Sequence, residues 1–208
     1  AGSRPPGMDI ESVFPEIESI EDDTLRTGVS TAWTTAAGVN GLEVEDLPEV
    51  PWLPPAQDDL GLAAEEALLV DHVRDVTACA LGLAESLLAA SAARSSRDPP
   101  SGRVSRHDDL DIDLDTVIAG ALIHDVSKLY EFDGMERTEV GRLLGHPYYG
   151  VSVVSRANLP VEIAHIVLSH SPRTSVEPAT LEAELVRRAD EAAAASIRAG
   201  AVDDLRDA

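Results

Sequence analysis

The chain has 208 residues, 44% of them hydrophobic, which is enough to bury one core of ordinary domain size and excludes disorder throughout. Its 16 basic and 38 acidic residues give a formal net charge of −22, and 15 of the basic residues are arginine. This charge argues against duplex DNA as a partner, because proteins bind DNA largely by neutralising phosphates with Lys and Arg. The single cysteine, Cys79, excludes an intramolecular disulfide and a cysteine-based metal cluster.

The sequence also predicts where the protein works. No apolar run approaches the roughly 18 residues of a membrane span, and the N-terminus has no basic-then-apolar secretory signal. We therefore expect a soluble, cytoplasmic protein with no membrane partner. A surface rich in carboxylates and nearly free of lysine is typical of proteins kept soluble in concentrated salt, so we hypothesise a halophilic source. A genome of high GC content is the alternative explanation.

The N-terminal part reads as an appendage wrapped on the main domain. Residues 1–7 resemble an artificial extension, and residues 8–60 contain 13 acidic residues and one basic residue. Apolar residues at helical spacing predict a helix over 18–37. Four prolines in 47–55 disfavour helix and predict an extended, packed arm.

From residue 61 the pattern is almost wholly helical, with no alternating stretch long enough to predict a strand. We expect a helical domain over 61–200 and a C-terminal tail over 201–208. The predicted helices cover 62–93, 113–130, 147–157, 160–169 and 178–199. In the first of them, one apolar stripe contains Leu69, His72, Val76, Leu83 and Leu87.

A polar break over 95–106 separates the first two of these helices. In this break and directly before it lies the main basic cluster of the chain, formed by Arg94, Arg97, Arg103 and Arg106. This cluster could steer a polyanionic substrate, or it could be a flexible loop tethered by the acidic stretch that follows.

The chemistry of the chain depends on which histidines face the core. His170 shares the apolar stripe of Ile163, Ile166 and Val167, whereas His165 lies about 140° away around the same helix. His107 falls in the polar break, where we expect it to be solvated.

Two aspartates and three further histidines also lie on or beside apolar faces. Taken singly, His72 or His146 is more often a core histidine, but Asp190 lies between Val186 and Ala193 on an inner face. His124 and Asp125 are adjacent at the end of an apolar helix, and Asp125 could bridge two ions through its two oxygens. Buried imidazoles and carboxylates need partners, which a shared metal supplies.

These residues occur in a recognisable order: His72, His124-Asp125, His146, His170, Asp190. The segments Ala121-Leu-Ile-His-Asp-Val-Ser-Lys128 and Leu144-Gly-His-Pro-Tyr-Tyr-Gly150 extend the similarity. Over about residues 65–199 the sequence resembles the HD-domain superfamily of metal-dependent phosphohydrolases. It differs from the commoner family pattern in having Ser127 where Gly is usual.

The resemblance implies an all-α fold, an HD-domain helical bundle, which the N-terminal helical and Pro-rich appendage would precede. It also implies one or two divalent ions per chain. By position, His72, His124, Asp125 and Asp190 would hold one ion, and Asp125, His146 and His170 a second. Imidazole and carboxylate ligands without thiolates admit Mn, Fe, Ni or Zn. A metal-activated water would then attack phosphorus without a protein nucleophile.

Beside the expected ligands, Lys128 is the single lysine of the chain and lies three residues after Asp125. We predict that it reaches a substrate phosphate or a metal-bound carboxylate, and we count Asp125 and Lys128 as catalytic. Glu131 and Asp133 are candidate general acids, although a solvated loop carboxylate is the favoured interpretation of each. Tyr148 and Tyr149 could either pack in the core or touch substrate.

The predicted function is hydrolysis of a nucleotide or another small phosphate monoester or diester. A di-iron oxygenase is an alternative, because myo-inositol oxygenase and phosphonate-cleaving oxygenases resemble the same ligand pattern. A non-catalytic nucleotide-binding module is another. The expected partner is a small phosphorylated substrate, and a homo-oligomer is compatible with the sequence.

Overall fold

The computed structural model describes residues 8–95 and 110–207. It is all-α, as predicted, apart from one two-stranded hairpin. His107 and three arginines of the basic cluster, Arg97, Arg103 and Arg106, lie outside the described residues. The α-helices are α1 Ile10–Val13, α2 Asp23–Val39, α3 Pro54–Leu60, α4 Leu69–Ser95, α5 Leu114–Ile123, α6 Lys128–Glu131, α7 Glu139–Leu143, α8 His146–Arg156, α9 Val161–Ser169 and α10 Leu181–Ala201. Short 3-10 helices cover Pro15–Ser19, Val44–Glu49, Ala64–Glu66 and Leu205–Asp207, and the strands are β1 Phe132–Asp133 and β2 Glu136–Arg137.

Helix α5 is the centre of the bundle. It packs against α4, α10, α9 and α2, and seven consecutive residues, from Val117 to Ile123, are buried. A helix that is apolar all round has to be covered on every side, which the surrounding helices achieve. The His-Asp pair that follows α5 therefore lies in the interior of the bundle.

The continuous helix predicted over 113–130 is wrong, because α5 ends at Ile123. After His124 the chain tightens into turns in which Val126 N–H bonds to Ile123 O and Lys128 N–H to Asp125 O. A four-residue helix, α6, and the β1–β2 hairpin then follow, and Gly134 in the hairpin turn has φ +56°. The turn lets both members of the His-Asp pair face the same space, which neighbouring positions on a straight helix could not do.

The extended arm predicted over 47–55 is only partly correct. The structure has a 3-10 helix over Val44–Glu49, which contains Pro48, and helix α3 begins at Pro54. Proline is compatible with the first turn of a helix, where its missing N–H would have no partner anyway. The intervening residues do run extended, since Trp52 N–H bonds to Ala67 O and Leu69 N–H to Val50 O.

The stripe predicted on the first long helix is correct only at its beginning. Helix α4 starts at Leu69 rather than at residue 62, and Leu83 and Leu87 are 41% and 38% exposed. The buried face in the middle of α4 consists of smaller residues, Val73, Val76, Ala80 and Ala84.

By length and composition α4 could cross a membrane, although charged residues interrupt its apolar residues. An 18-residue window within Leu69–Arg94 has a mean hydropathy of 1.6, and 28% of that window is buried. The core helix of a soluble protein passes the same test, and α4 packs against α5 and α10.

Candidate metal centre

Five elements converge at the middle of the bundle, and each contributes to one cluster of side chains. His72 lies in the first turn of α4, and His124 and Asp125 follow α5 directly. His146 is the first residue of α8, His170 follows α9, and Asp190 lies midway along α10. The structure thus brings together all six residues that the sequence predicted.

One group consists of His72, His124, Asp125 and Asp190, and the two imidazoles face Oδ2 of Asp125 and Oδ1 of Asp190. His72 Nε2 lies 3.0 Å from the Asp190 oxygen and 3.4 Å from the Asp125 oxygen. His124 Nε2 lies 3.2 Å from Asp125 Oδ2 and 3.8 Å from Asp190 Oδ1. These four residues could hold a metal ion.

A second group shares the other oxygen of Asp125. His146 Nε2 lies 3.2 Å and His170 Nε2 3.7 Å from Asp125 Oδ1, and the two imidazole nitrogens are 3.3 Å apart. These three residues could hold another ion. The Asp125 carboxylate thus faces both groups, one with each oxygen.

The hydrogen bonds of His124 and His170 orient these imidazoles so that a cation can bind between them and the aspartates. His124 Nδ1 lies 2.6 Å from Ala121 O and His170 Nδ1 2.7 Å from Val167 O, so each Nδ1–H donates to a carbonyl. The opposite Nε2 atoms then present lone pairs to the aspartates. His124 Nε2 and both Asp125 oxygens are buried and form no hydrogen bond of regular geometry among the described residues, although the Lys128 ammonium lies beside Oδ2 as an ion-pair partner.

The distances within the cluster also suit metal coordination. Ligand atoms about 2.1 Å from an ion stand ~3.0 Å apart in octahedral and ~3.4 Å apart in tetrahedral geometry. Three of the four nitrogen–oxygen distances to Asp125 are 3.2 to 3.4 Å, in the same range, and the fourth, from His170, is slightly longer at 3.7 Å. The residues present therefore fit divalent ions held by imidazole and carboxylate.

Lys128 lies beside the carboxylate that is predicted to bind metal. It is 5% exposed, and its Nζ lies 2.6 Å from Asp125 Oδ2. The Nζ also lies 5.5 Å from the centre of the Trp52 ring, a cation–π distance. The ammonium is thus directed to the shared carboxylate.

Charge decides the protonation of the shared carboxylate. Burial raises the pKa of Asp125, but Lys128 and His124 beside it outweigh burial and hold that pKa well below its usual range. Burial likewise raises the pKa of Asp190, and the hydrogen bond from His72 reverses this, so that this pKa is also lowered. Both carboxylates are ionised, the form that binds metal.

The expectation that Glu131 is a solvated loop carboxylate is wrong. Glu131 is completely buried, with Oε2 2.6 Å from His146 Nδ1 and Oε1 2.7 Å from Arg173 NH1. Burial raises its pKa, but His146 and Arg173 lower it to about 2 overall. The sequence indicated Glu131 as a candidate but not its burial, because the residue follows the predicted helix in a segment without apolar periodicity. A glutamate flanked by Tyr130 and Phe132 was the available signal.

Ser127, the position where the family usually has Gly, also supports the centre. Its side chain is completely buried and donates a hydrogen bond of 2.7 Å to His146 O. A Cβ at Gly150 would lie 2.9 Å from this hydroxyl oxygen, so a small residue is needed opposite it. The hydroxyl ties the turn after Asp125 to the start of α8.

A cavity of about 340 Å³ opens onto the cluster. Its lining includes the apolar residues Trp52, Leu53 and Ala56 and the cationic residues Arg173 and Arg198. The Arg198 guanidinium forms no hydrogen bond or ion pair with the described residues, although its main-chain carbonyl accepts one from the Val202 N–H. On a protein of net charge −22, two arginines beside paired carboxylates favour an anionic ligand.

The other candidate residues lie away from the cluster. His165 is half-buried, and its Nε2 accepts a hydrogen bond from the Ala179 N–H, consistent with its predicted position off the inner face. Asp133 and Tyr148 are exposed. Tyr149 packs against Tyr130, with ring centres 4.8 Å apart.

Comparison with known families agrees with this geometry. The model of the HD domain matches residues 69–195, more than half of the chain, and this span includes all six clustered residues. The chain belongs to the HD-domain family. Residues 8–68, which supply Trp52 and the walls of the cavity next to it, precede the HD domain match.

A relative with a known name is a phosphodiesterase. The chain is 27% identical over 195 residues to a dihydroneopterin 2′,3′-cyclic phosphate phosphodiesterase of Methanocaldococcus jannaschii, covering 88% of this chain and 68% of the relative. No solved structure matches the chain. The HD domain, this relative and the two groups of metal-binding side chains together support metal-dependent phosphohydrolase activity.

Proposed function

We propose that this HD-domain protein is a phosphodiesterase that hydrolyses a small cyclic phosphate diester to a monoester. The observation that carries the proposal is the Asp125 carboxylate, which faces one group of ligands with each oxygen. Sites in which two ions share a ligand are typical of enzymes that hydrolyse phosphate esters. The cyclic diester is taken from the activity named for the relative.

His72, His124, Asp125 and Asp190 would hold one ion, and Asp125, His146 and His170 the other. Bound divalent ions lower the pKa of a water molecule and polarise the phosphoryl oxygen. The chain contributes geometry: Lys128 fixes Asp125, and hydrogen bonds to carbonyls orient His124 and His170.

The cavity supplies recognition of the substrate. Arg198 has free N–H groups and would bind a phosphate oxygen, while the apolar side formed by Trp52, Leu53 and Ala56 would contact the organic part. In the reaction, water adds to phosphorus and one ring P–O bond breaks. The departing oxygen takes up a proton, and a phosphate monoester remains.

The test uses the full-length chain loaded with Mn²⁺, or with Fe²⁺ under anaerobic conditions. Dihydroneopterin 2′,3′-cyclic phosphate and a 2′,3′-cyclic nucleotide are offered in parallel with p-nitrophenyl phosphate, a monoester. We expect ring opening of a cyclic diester with either metal and without oxygen, and little release of phosphate from the monoester. Preference for the monoester would identify a phosphatase instead. Oxygen consumption by the Fe²⁺-loaded chain once air is admitted, without ester hydrolysis, would identify the oxygenase.

A further inference from the structure

The four imidazoles of the centre differ in what their outer nitrogen contacts. His124 and His170 donate Nδ1–H to main-chain carbonyls within their own helical segments. His72 Nδ1 has no partner within the described residues. His146 alone meets a side-chain carboxylate, Glu131, at 2.6 Å.

Glu131 uses both of its oxygens. Oε2 accepts from Nδ1 and from the main-chain N–H of His146, the latter at 3.2 Å, and Oε1 accepts from Arg173. The carboxylate is completely buried, whereas the Arg173 side chain is 39% exposed and lines the cavity. A continuous series of contacts therefore connects the cavity wall, through Arg173, Glu131 and His146, to Asp125.

A carboxylate on the outer nitrogen of a metal-binding imidazole has two effects. It holds the proton on Nδ1, which leaves the Nε2 lone pair free for the ion, and it makes the imidazole a stronger ligand. Loss of such a partner typically weakens metal binding about 10- to 100-fold. Neither effect operates at the other group, because Glu131 touches neither His72 nor His124.

We propose that Glu131 is a positioning residue that sets the affinity of the second ion, the one assigned to Asp125, His146 and His170. It does so by fixing the His146 ring with Nε2 toward Asp125, and its second oxygen holds Arg173 at the cavity wall. The inference rests on the proposed function, since it requires that the two groups bind ions.

The test is a Mn²⁺ titration of the full-length chain in which electron paramagnetic resonance measures free Mn²⁺. Glu131→Gln keeps the size of the side chain but removes its charge. We expect this variant to bind one Mn²⁺ as the wild type does and the second about 10- to 100-fold more weakly. The matched control is Glu177→Gln, which removes a glutamate paired with Arg187 at 2.6 Å on the surface and should leave both affinities unchanged.

A second measurement is independent of how the variant folds. Nitrogen-15 spectra of imidazoles in the metal-free, full-length wild type should show His146 with its proton on Nδ1. A wild-type spectrum with the proton on Nε2 overturns the inference, as does a folded Glu131→Gln chain that binds both ions with wild-type affinity. A wild type that binds fewer than two Mn²⁺ ions overturns the two-ion site itself, and the inference with it.

Discussion

Trp33→Phe should destabilise the protein because Trp33 completes the end of the central helix. The indole is fully buried, and its Nε1–H donates 2.9 Å to Leu122 O, one of the last carbonyls of α5, which have no partner within the helix. Phenylalanine fills less space and leaves this buried carbonyl without its donor. An unsatisfied buried acceptor costs about 1–3 kcal/mol, and the cavity adds roughly another 1 kcal/mol. We expect a loss of about 2–4 kcal/mol, or roughly 6–12 °C in Tm for ~3 kcal/mol at this chain length.

The assay is urea and thermal unfolding followed by far-ultraviolet circular dichroism at a fixed metal concentration, because a bound ion itself shifts stability. Trp52→Phe is the matched control. Trp52 is 2% exposed, and its Nε1–H has no hydrogen-bond partner within the described residues. Its replacement should therefore cost less than about 1 kcal/mol. Equal losses for the two variants would refute the role assigned to the Trp33 hydrogen bond.

Three further predictions concern the centre and its cavity. Asp125→Asn should abolish binding of both ions and hydrolysis, which metal analysis and the cyclic diester assay would measure. His165→Gln should retain both properties. Hydrolysis at the wild-type rate in the Asp125 variant would contradict the ligand assignment. Burial lowers the pKa of His146 from 6.5 to about 4, so in the metal-free protein its neutral form contributes stability above pH 6.5 that is lost as the pH falls toward 4. This contribution is at most about 3 kcal/mol, and His146→Asn should remove that part of the pH dependence in urea titrations from pH 7 to 4. Arg198→Gln should raise KM for the cyclic diester by about 10- to 100-fold and leave Mn²⁺ affinity unchanged, because a charge-assisted hydrogen bond is worth about 1.5–3 kcal/mol. An unchanged KM would place the phosphate elsewhere.

The site was more predictable than the course of the chain around it. The six clustered residues could be found because they lie on or beside apolar faces, where burial requires a partner, and because their order along the chain resembles that of the HD-domain family. The boundaries were harder to predict. Periodicity continues through residues 113–130, yet α5 ends at Ile123, because local hydrogen bonds after His124 replace the helical ones.

The sequence by itself determined the helical class, the six clustered residues and the acidic charge, since these depend on residue type and on spacing along one element. Only the tertiary structure decided that Glu131 is buried, that Arg173, 42 residues away, pairs with it, and that Trp52 closes one side of the cavity. These contacts join residues from separate elements, and no local pattern encodes which elements become neighbours. The physical reason is that burial and pairing are properties of the packed bundle, whereas periodicity describes one helix at a time.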